Sequence, residues 1–264
     1  MPYIKNNKIK IWRNVYRILF FLLLITFNLS VIAQEIPEEI DNPNTSSLKK
    51  KISGFIDVNG YYDTRNFDVL TVNTLVNLPF RLQYFSFINL FGNSGRADNF
   101  SLNRYYTEQN LYFSPYSKLP IDINGQWAFA TSFTDTIRIG PRWRVQDTPH
   151  IKKFFKKLNL IYLPAFFPLQ YDRSKGYDAL IEHFYRVQIF PKLFGDRLYS
   201  SGFADHNLLF GSDNKKNHNV FVVETQIGFR LVKKLYIVCE YRYNEFYSKK
   251  KHGLGIGLEY DFKF

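Results

Sequence analysis

The stretch from His252 to Phe264 constrains this chain more than any other. Leu254, Ile256, Leu258, Tyr260, Phe262 and Phe264 alternate with Gly253, Gly255, Gly257, Glu259, Asp261 and Lys263. A period of two puts the first set on one face of a β-strand and the second on the other. In a soluble sheet, an aromatic row beside unpaired backbone groups invites edge-to-edge aggregation. A closed membrane barrel avoids this, because the strand pairs on both sides and turns its apolar face to lipid. The rest of the chain reads as strands leading to this one.

The first residues set the expected compartment. Lys5, Lys8, Lys10, Arg13 and Arg17 precede an apolar run from Ile18 to Ile32, and Val31-Ile32-Ala33 offers small-residue cleavage before Gln34. This pattern predicts a secretory signal peptide over 1–33, whose apolar core is short for a spanning anchor. No Cys follows it, so a lipid-anchored start is not expected. Residues 34–51 are polar and read as a flexible periplasmic lead-in. The single cysteine, Cys239, excludes an internal disulfide framework and reads as a small apolar strand residue.

The chain carries 35 Lys and Arg against 23 Asp and Glu; without the five basic residues of the leader the balance is 30 against 23, or +7. These charges are scattered, so no nucleic-acid partner is expected. Aromatics at 19%, with 19 Tyr and 27 Phe, fit interfacial girdles and a lipid-facing wall.

Twelve strands are expected over 52–62, 67–78, 80–91, 104–113, 119–130, 135–145, 158–168, 177–190, 197–210, 219–230, 235–246 and 252–264. The fifth sets Ile121, Ile123, Trp127 and Phe129 against Asp122, Asn124 and Gln126. The sixth sets Ile137, Ile139, Trp143 and Val145 against Arg138, Arg142 and Arg144. The tenth sets Phe221, Val223, Ile227 and Phe229 against Glu224, Gln226 and Arg230. The eleventh sets Ile237, Cys239, Tyr241 and Tyr243 against Glu240, Arg242 and Asn244. The second, third and seventh alternate less cleanly, which leaves ten strands open. One all-β, transmembrane, antiparallel up-and-down barrel over 52–264 is the expected fold. A soluble sandwich or lipocalin-like barrel would also alternate. It suits the glycine-rich, charged second face and the ten-residue strand length less well.

Longer loops are expected after odd strands and short turns after even ones, as in a barrel with both ends in the periplasm. Gly92 to Asn103, Leu169 to Lys175, Gly211 to His218 and Tyr247 to Lys251 are the expected loops. Gln146 to Lys157 breaks the pattern. There Ile151, Phe154, Phe155 and Leu158 recur at helical spacing with Lys152, Lys153, Lys156 and Lys157 opposite, after a capping Asp147-Thr148-Pro149. Segment 151–158 is therefore either a short basic amphipathic helix on the periplasmic leaflet or a solvated turn.

Leu198-Tyr199-Ser200-Ser201-Gly202-Phe203-Ala204-Asp205, Glu224-Thr225-Gln226-Ile227-Gly228-Phe229, Cys239-Glu240-Tyr241-Arg242-Tyr243-Asn244-Glu245-Phe246 and the Gly-Leu-Gly-Ile-Gly-Leu-Glu-Tyr ending resemble the Tsx-like outer-membrane proteins, a nucleoside-specific channel-forming superfamily. Thr225 stands where that family commonly has Pro. The resemblance covers about 198–264. It implies a twelve-stranded monomeric barrel with a narrow lumen for small solutes, and it carries nucleosides as one solute class.

The polar faces place Arg138, Arg142, Arg144, Asp205, Glu224, Gln226, Glu240, Arg242 and Glu259 along the expected lumen. Ion-pair ladders there either fill a small barrel or form a constriction that orients polar solutes. Tyr199, Phe203 and Tyr236 are expected to point inward, as packing or as stacking surfaces for a ring. Catalysis is not expected: no Gly-x-Ser-x-Gly motif occurs, and Asp205 and His206 face opposite ways on a strand. A lumen serine with a loop histidine would revive a lipid-acting barrel enzyme. No cofactor or metal is expected. The sequence thus points to an outer-membrane channel of a Gram-negative bacterium, binding or passing a small polar solute. The alternative is a non-conducting structural or surface-interaction barrel. Expected partners are outer-membrane lipid, lipopolysaccharide phosphates at Lys215-Lys216 and Lys249-Lys250-Lys251, and the barrel-assembly machinery through Phe264.

Overall fold

A computed structural model describes residues 52–93, 102–132, 135–172, 176–210 and 218–264. The leader, the lead-in and Lys215-Lys216 lie outside the described residues. The strands are β1 (Ser53–Asp63), β2 (Phe67–Leu78), β3 (Leu82–Asn93), β4 (Leu102–Phe113), β5 (Ile121–Ala130) and β6 (Thr136–Trp143). After them come β7 (Leu160–Asp172), β8 (Gly176–Gln188), β9 (Leu198–Leu209), β10 (His218–Val232), β11 (Leu235–Asn244) and β12 (His252–Lys263). Two short helices, α1 (Lys152–Leu158) and α2 (Pro191–Phe194), lie between β6 and β7 and between β8 and β9.

Each strand pairs antiparallel with the next, and β1 closes the ring on β12. The seam runs from Phe55 opposite Lys263 to Asp63 opposite Gly255. It is extended by Gly54 and Phe264, whose amides and carbonyls exchange bonds of 2.9 and 3.1 Å. Closure removes every sheet edge, which an apolar medium requires because it cannot hydrogen-bond a free strand. Gly257 makes the seam tight, since a Cβ there would stand 1.9 Å from the Gly60 carbonyl oxygen.

Register assigns the two faces. On β12 the predicted apolar set points outward, with Ile256 58% exposed, while Glu259 on the inner face is 5% exposed. Ile237, Cys239 and Tyr241 of β11 are likewise exposed, and Tyr236, Val238, Glu240 and Arg242 are buried. The exterior is thus an apolar wall and the interior a polar core, the inverse of a soluble barrel. The protein is a transmembrane β-barrel of twelve antiparallel strands.

Some outward positions are polar, and they satisfy one another. The Tyr84 hydroxyl donates to Gln109, whose amide donates to Thr107 at 2.8 Å. The Tyr162 hydroxyl pairs with His183 Nδ1 at 2.8 Å. The Tyr185 hydroxyl, one strand away from Ser200, bonds it at 3.0 Å and also reaches Thr225. Such closed pairs lower the cost of polar groups facing lipid.

Two expectations need correction. Connections at the end where β1 begins (79–81, 114–120, 144–159, 189–197, 233–234) are as long as those at the opposite end (64–66, 94–101, 131–135, 173–175, 210–217, 245–251). The long-and-short alternation therefore does not hold. The expected loop from Leu169 to Lys175 shrinks because β7 runs on to Asp172 past a register shift between Phe167 and Gln170. The basic segment is a helix, but Asp147 does not cap it. Asp147 accepts from Arg144 at 2.9 Å, and the helix starts at Lys152 with Ile151 before it and no side-chain cap. Asn159, in the left-handed conformation, ends it.

Candidate functional site

The candidate site is the barrel interior. One wall of it is densely bonded. On β6, Arg138 donates to Gln170 of β7 at 2.5 Å and to Gln126 of β5, and it lies 3.5 Å from Glu108 of β4. The Gln126 amide in turn donates to Glu108 at 2.9 Å, to Asn110 at 3.1 Å and to Glu182 of β8 at 3.3 Å. Arg142 forks onto Asp122 at 2.6 and 3.0 Å, reaches Gln83 of β3 at 3.1 Å and stands 3.3 Å over the Tyr112 ring. Glu108, Asn110, Asp122, Asn124, Gln126, Arg138 and Arg142 are all buried. Side chains packed to this degree leave no room for a solute along β4–β6. Each charge has a partner, as burial demands.

A second network ties β9–β12 to β1. The Tyr199 hydroxyl donates to Glu259 at 2.5 Å, and the Gln226 amide donates to the same carboxylate at 2.7 Å. The Tyr61 hydroxyl donates to Gln226. Tyr236 packs edge-on against Tyr199 with ring centroids 5.7 Å apart, and Arg186 covers the same tyrosine at 4.2 Å. Tyr199 and Tyr236 are 2% and 6% exposed, so neither offers a free ring face. Arg242 pairs with Glu240 and lies 3.9 Å from Glu224.

The remaining wall is different. Glu182 and Phe184 on β8, Ser201, Phe203 and Asp205 on β9, and Glu224 on β10 face inward yet are half-buried, and Arg186 is exposed. Register puts Glu182 opposite Asp205, Phe184 opposite Phe203, Arg186 opposite Ser201, and Glu224 opposite Phe203. These inward side chains are thus more accessible than those along β4–β6. At the end where β1 begins, Arg186 also lines a recess of about 390 Å³ with Lys152, Phe155 and Lys156 of α1, Asn159 and Gln188.

All the lumen residues expected from sequence face inward except Arg144. β6 ends at Trp143, so Arg144 lies in the following turn, bonded to Asp122, to Ser114 at 3.0 Å and to the Leu119 carbonyl at 2.8 Å. Val145, expected on the outer face, is buried in a 3-10 turn. The sequence reading missed Glu108, Asp122, Glu182, Phe184 and Arg186. Asp122 was assigned a polar face but given no role. The alternation Tyr106, Glu108, Asn110, Tyr112 on β4 and Glu182, Phe184, Arg186 on β8 carried the signal for the others.

No protein-family model matches the chain, and no curated sequence matches it. Among solved structures the chain is similar to a KdgM porin (TM-score 0.46, 10% identity, covering 79% of this chain and 99% of that one). It is similar to a NanC porin to the same degree (0.46, 10%, 78% and 98%). A Rhodopseudomonas blastica porin mutant is more distant (0.31, 7%, 80% and 99%).

Proposed function

We propose that the protein is a channel of the Gram-negative outer membrane that passes small polar solutes through its lumen along β8–β10. The half-buried polar wall inside a closed barrel, beside a fully packed one, carries this reading. The signal-like leader and the lipid-compatible exterior support the location. Passage is passive, and a monomer is sufficient because the path lies within one barrel. The resemblance of 198–264 to Tsx-like barrels supports nucleosides as one solute. The walls built by Arg138 and Glu259 favour a second reading, a non-conducting structural barrel whose core is closed by its own side chains. Liposome swelling separates the two. Barrels refolded into liposomes should admit ribose and uridine faster than empty liposomes do. Swelling no faster than in empty liposomes, with the protein folded, would support the structural reading. Uptake of ribose without any preference for uridine would leave a general small-solute channel.

A further inference from the structure

The charges along the open wall do not balance. Around Arg138 stand three carboxylates: Glu108 at 3.5 Å, Glu182 joined to Glu108 through the Gln126 amide, and Asp205 opposite Glu182. Around Arg242 stand Glu240 and Glu224. Arg142 and Arg65 also act on Glu182 and Glu224, but each is already paired, with Asp122 and Asp63, so carboxyl groups outnumber guanidiniums here. Toward the β1-start end Arg186 stands with Glu259 and Asp57, so carboxyl groups again outnumber guanidiniums. A confined path with a surplus of one sign concentrates ions of the other.

Two further observations point to the kind of ion. The Asp205 Oδ1 oxygen is buried and has no hydrogen-bond partner, so an acceptor beside Glu182 is left unsatisfied. Next to the carboxylates lie two aromatics on the same inner face, Phe184 and Phe203, directly opposed in register. Carboxylates beside aromatic faces suit an organic cation, which gains from both charge and ring. Among the described residues, no three of His, Cys, Asp and Glu are gathered closely enough to hold a metal ion. The arrangement is therefore a diffuse negative path rather than a chelating cage.

We infer that the β8–β10 path is cation-selective and that its solutes include small organic cations. The inference rests on the channel reading above. Glu182, Asp205 and Glu224 supply the field, and Phe184 and Phe203 supply the faces against which an alkylammonium group rests.

The test is the reversal potential of refolded barrels in a planar bilayer under a tenfold KCl gradient. The expected result is a potential on the cation side, corresponding to a several-fold preference for K⁺ over Cl⁻. Tetraethylammonium should reduce the current where gluconate does not. The double variant Glu182→Gln, Asp205→Asn should move the preference toward unity. Glu182→Gln retains the bond from Gln126 through its amide oxygen, and heat-modifiable gel mobility checks that the variant is folded. Phe203→Ala should weaken the tetraethylammonium effect. A conducting barrel with no preference, or with an anion preference, would overturn the inference and leave the channel reading standing. So would a double variant, correctly folded, whose selectivity is unchanged. A folded barrel that never conducts would overturn both.

Discussion

Replacing Arg138 with methionine tests how the closed wall is held. The substitution keeps the bulk of the side chain and removes its charge. Arg138 is 9% exposed and serves Gln170, Gln126 and Glu108 at once. At 3.5 Å, a pair of unit charges in a medium of effective dielectric 20 attracts by about 5 kcal/mol, before the desolvation that opposes it. Removing one member of such a pair leaves the other buried and uncompensated, which costs about 3–5 kcal/mol. Glu108 would keep only the Gln126 amide at 2.9 Å and the Tyr106 hydroxyl. The double variant Arg138→Met, Glu108→Gln removes both charges and should recover at least half of that loss. Urea unfolding of barrels in phospholipid vesicles, followed by the fluorescence of Trp127 and Trp143, reads both numbers. A single-variant cost below about 1 kcal/mol, the range of exposed surface pairs, would refute the view that this wall is a dry ionic core. A double variant no more stable than the single would refute the pairing itself.

Further outcomes follow from the same geometry. Leu258→Arg puts a charge on the lipid face of β12 and should cost about 2–4 kcal/mol in vesicle unfolding if the residue lies near the bilayer midplane. In a Cys239→Ser background, Ser201→Cys should react with a membrane-impermeant thiol reagent and reduce conductance, whereas Asn110→Cys should do neither. Equal labelling would move the path away from β8–β10. The recess beside α1 is basic through Lys152, Lys156 and Arg186, while the mid-lumen is acidic. Current through such a bipolar path should be asymmetric with voltage, and Lys152→Gln with Lys156→Gln should make it more symmetric. An already symmetric current would place those lysines away from the conducting route.

Much of the barrel was legible because lipid and lumen impose opposite demands on alternate residues. Strands β5, β10, β11 and β12 follow that rule with few exceptions, such as Thr225 outward and Val238 inward, and their faces read directly. The second, third and seventh were harder for identifiable reasons. The lumen face of β3 carries Phe85, Phe87 and Phe91, so apolar residues occupy both of its sides. On β2 and β3, Thr74 faces Ser86 on the outer wall, a polar pair at apolar positions. The seventh strand shifts register between Phe167 and Gln170, next to Pro168, so its alternation breaks in the middle.

The lumen residues were also legible by parity, but their partners were not. Arg138 pairs with Glu108, thirty positions away, through the ring of strands rather than along one of them. Nothing in local sequence indicates which wall of a barrel packs shut. That depends on side chains meeting across three strands, as Gln126 meets Glu182. The helix over Lys152–Leu158 was visible in its spacing. Its start was misread because Asp147 found a better partner in Arg144, a cation three residues away.

The most direct test of the account is single-channel recording from the barrel refolded into a planar lipid bilayer, with heat-modifiable mobility confirming the fold beforehand. The account predicts discrete openings of small, uniform conductance, set by a lumen open on one side only. A fully folded population that inserts and stays silent would contradict it, and would show that the networks of Arg138 and Glu259 close the barrel completely.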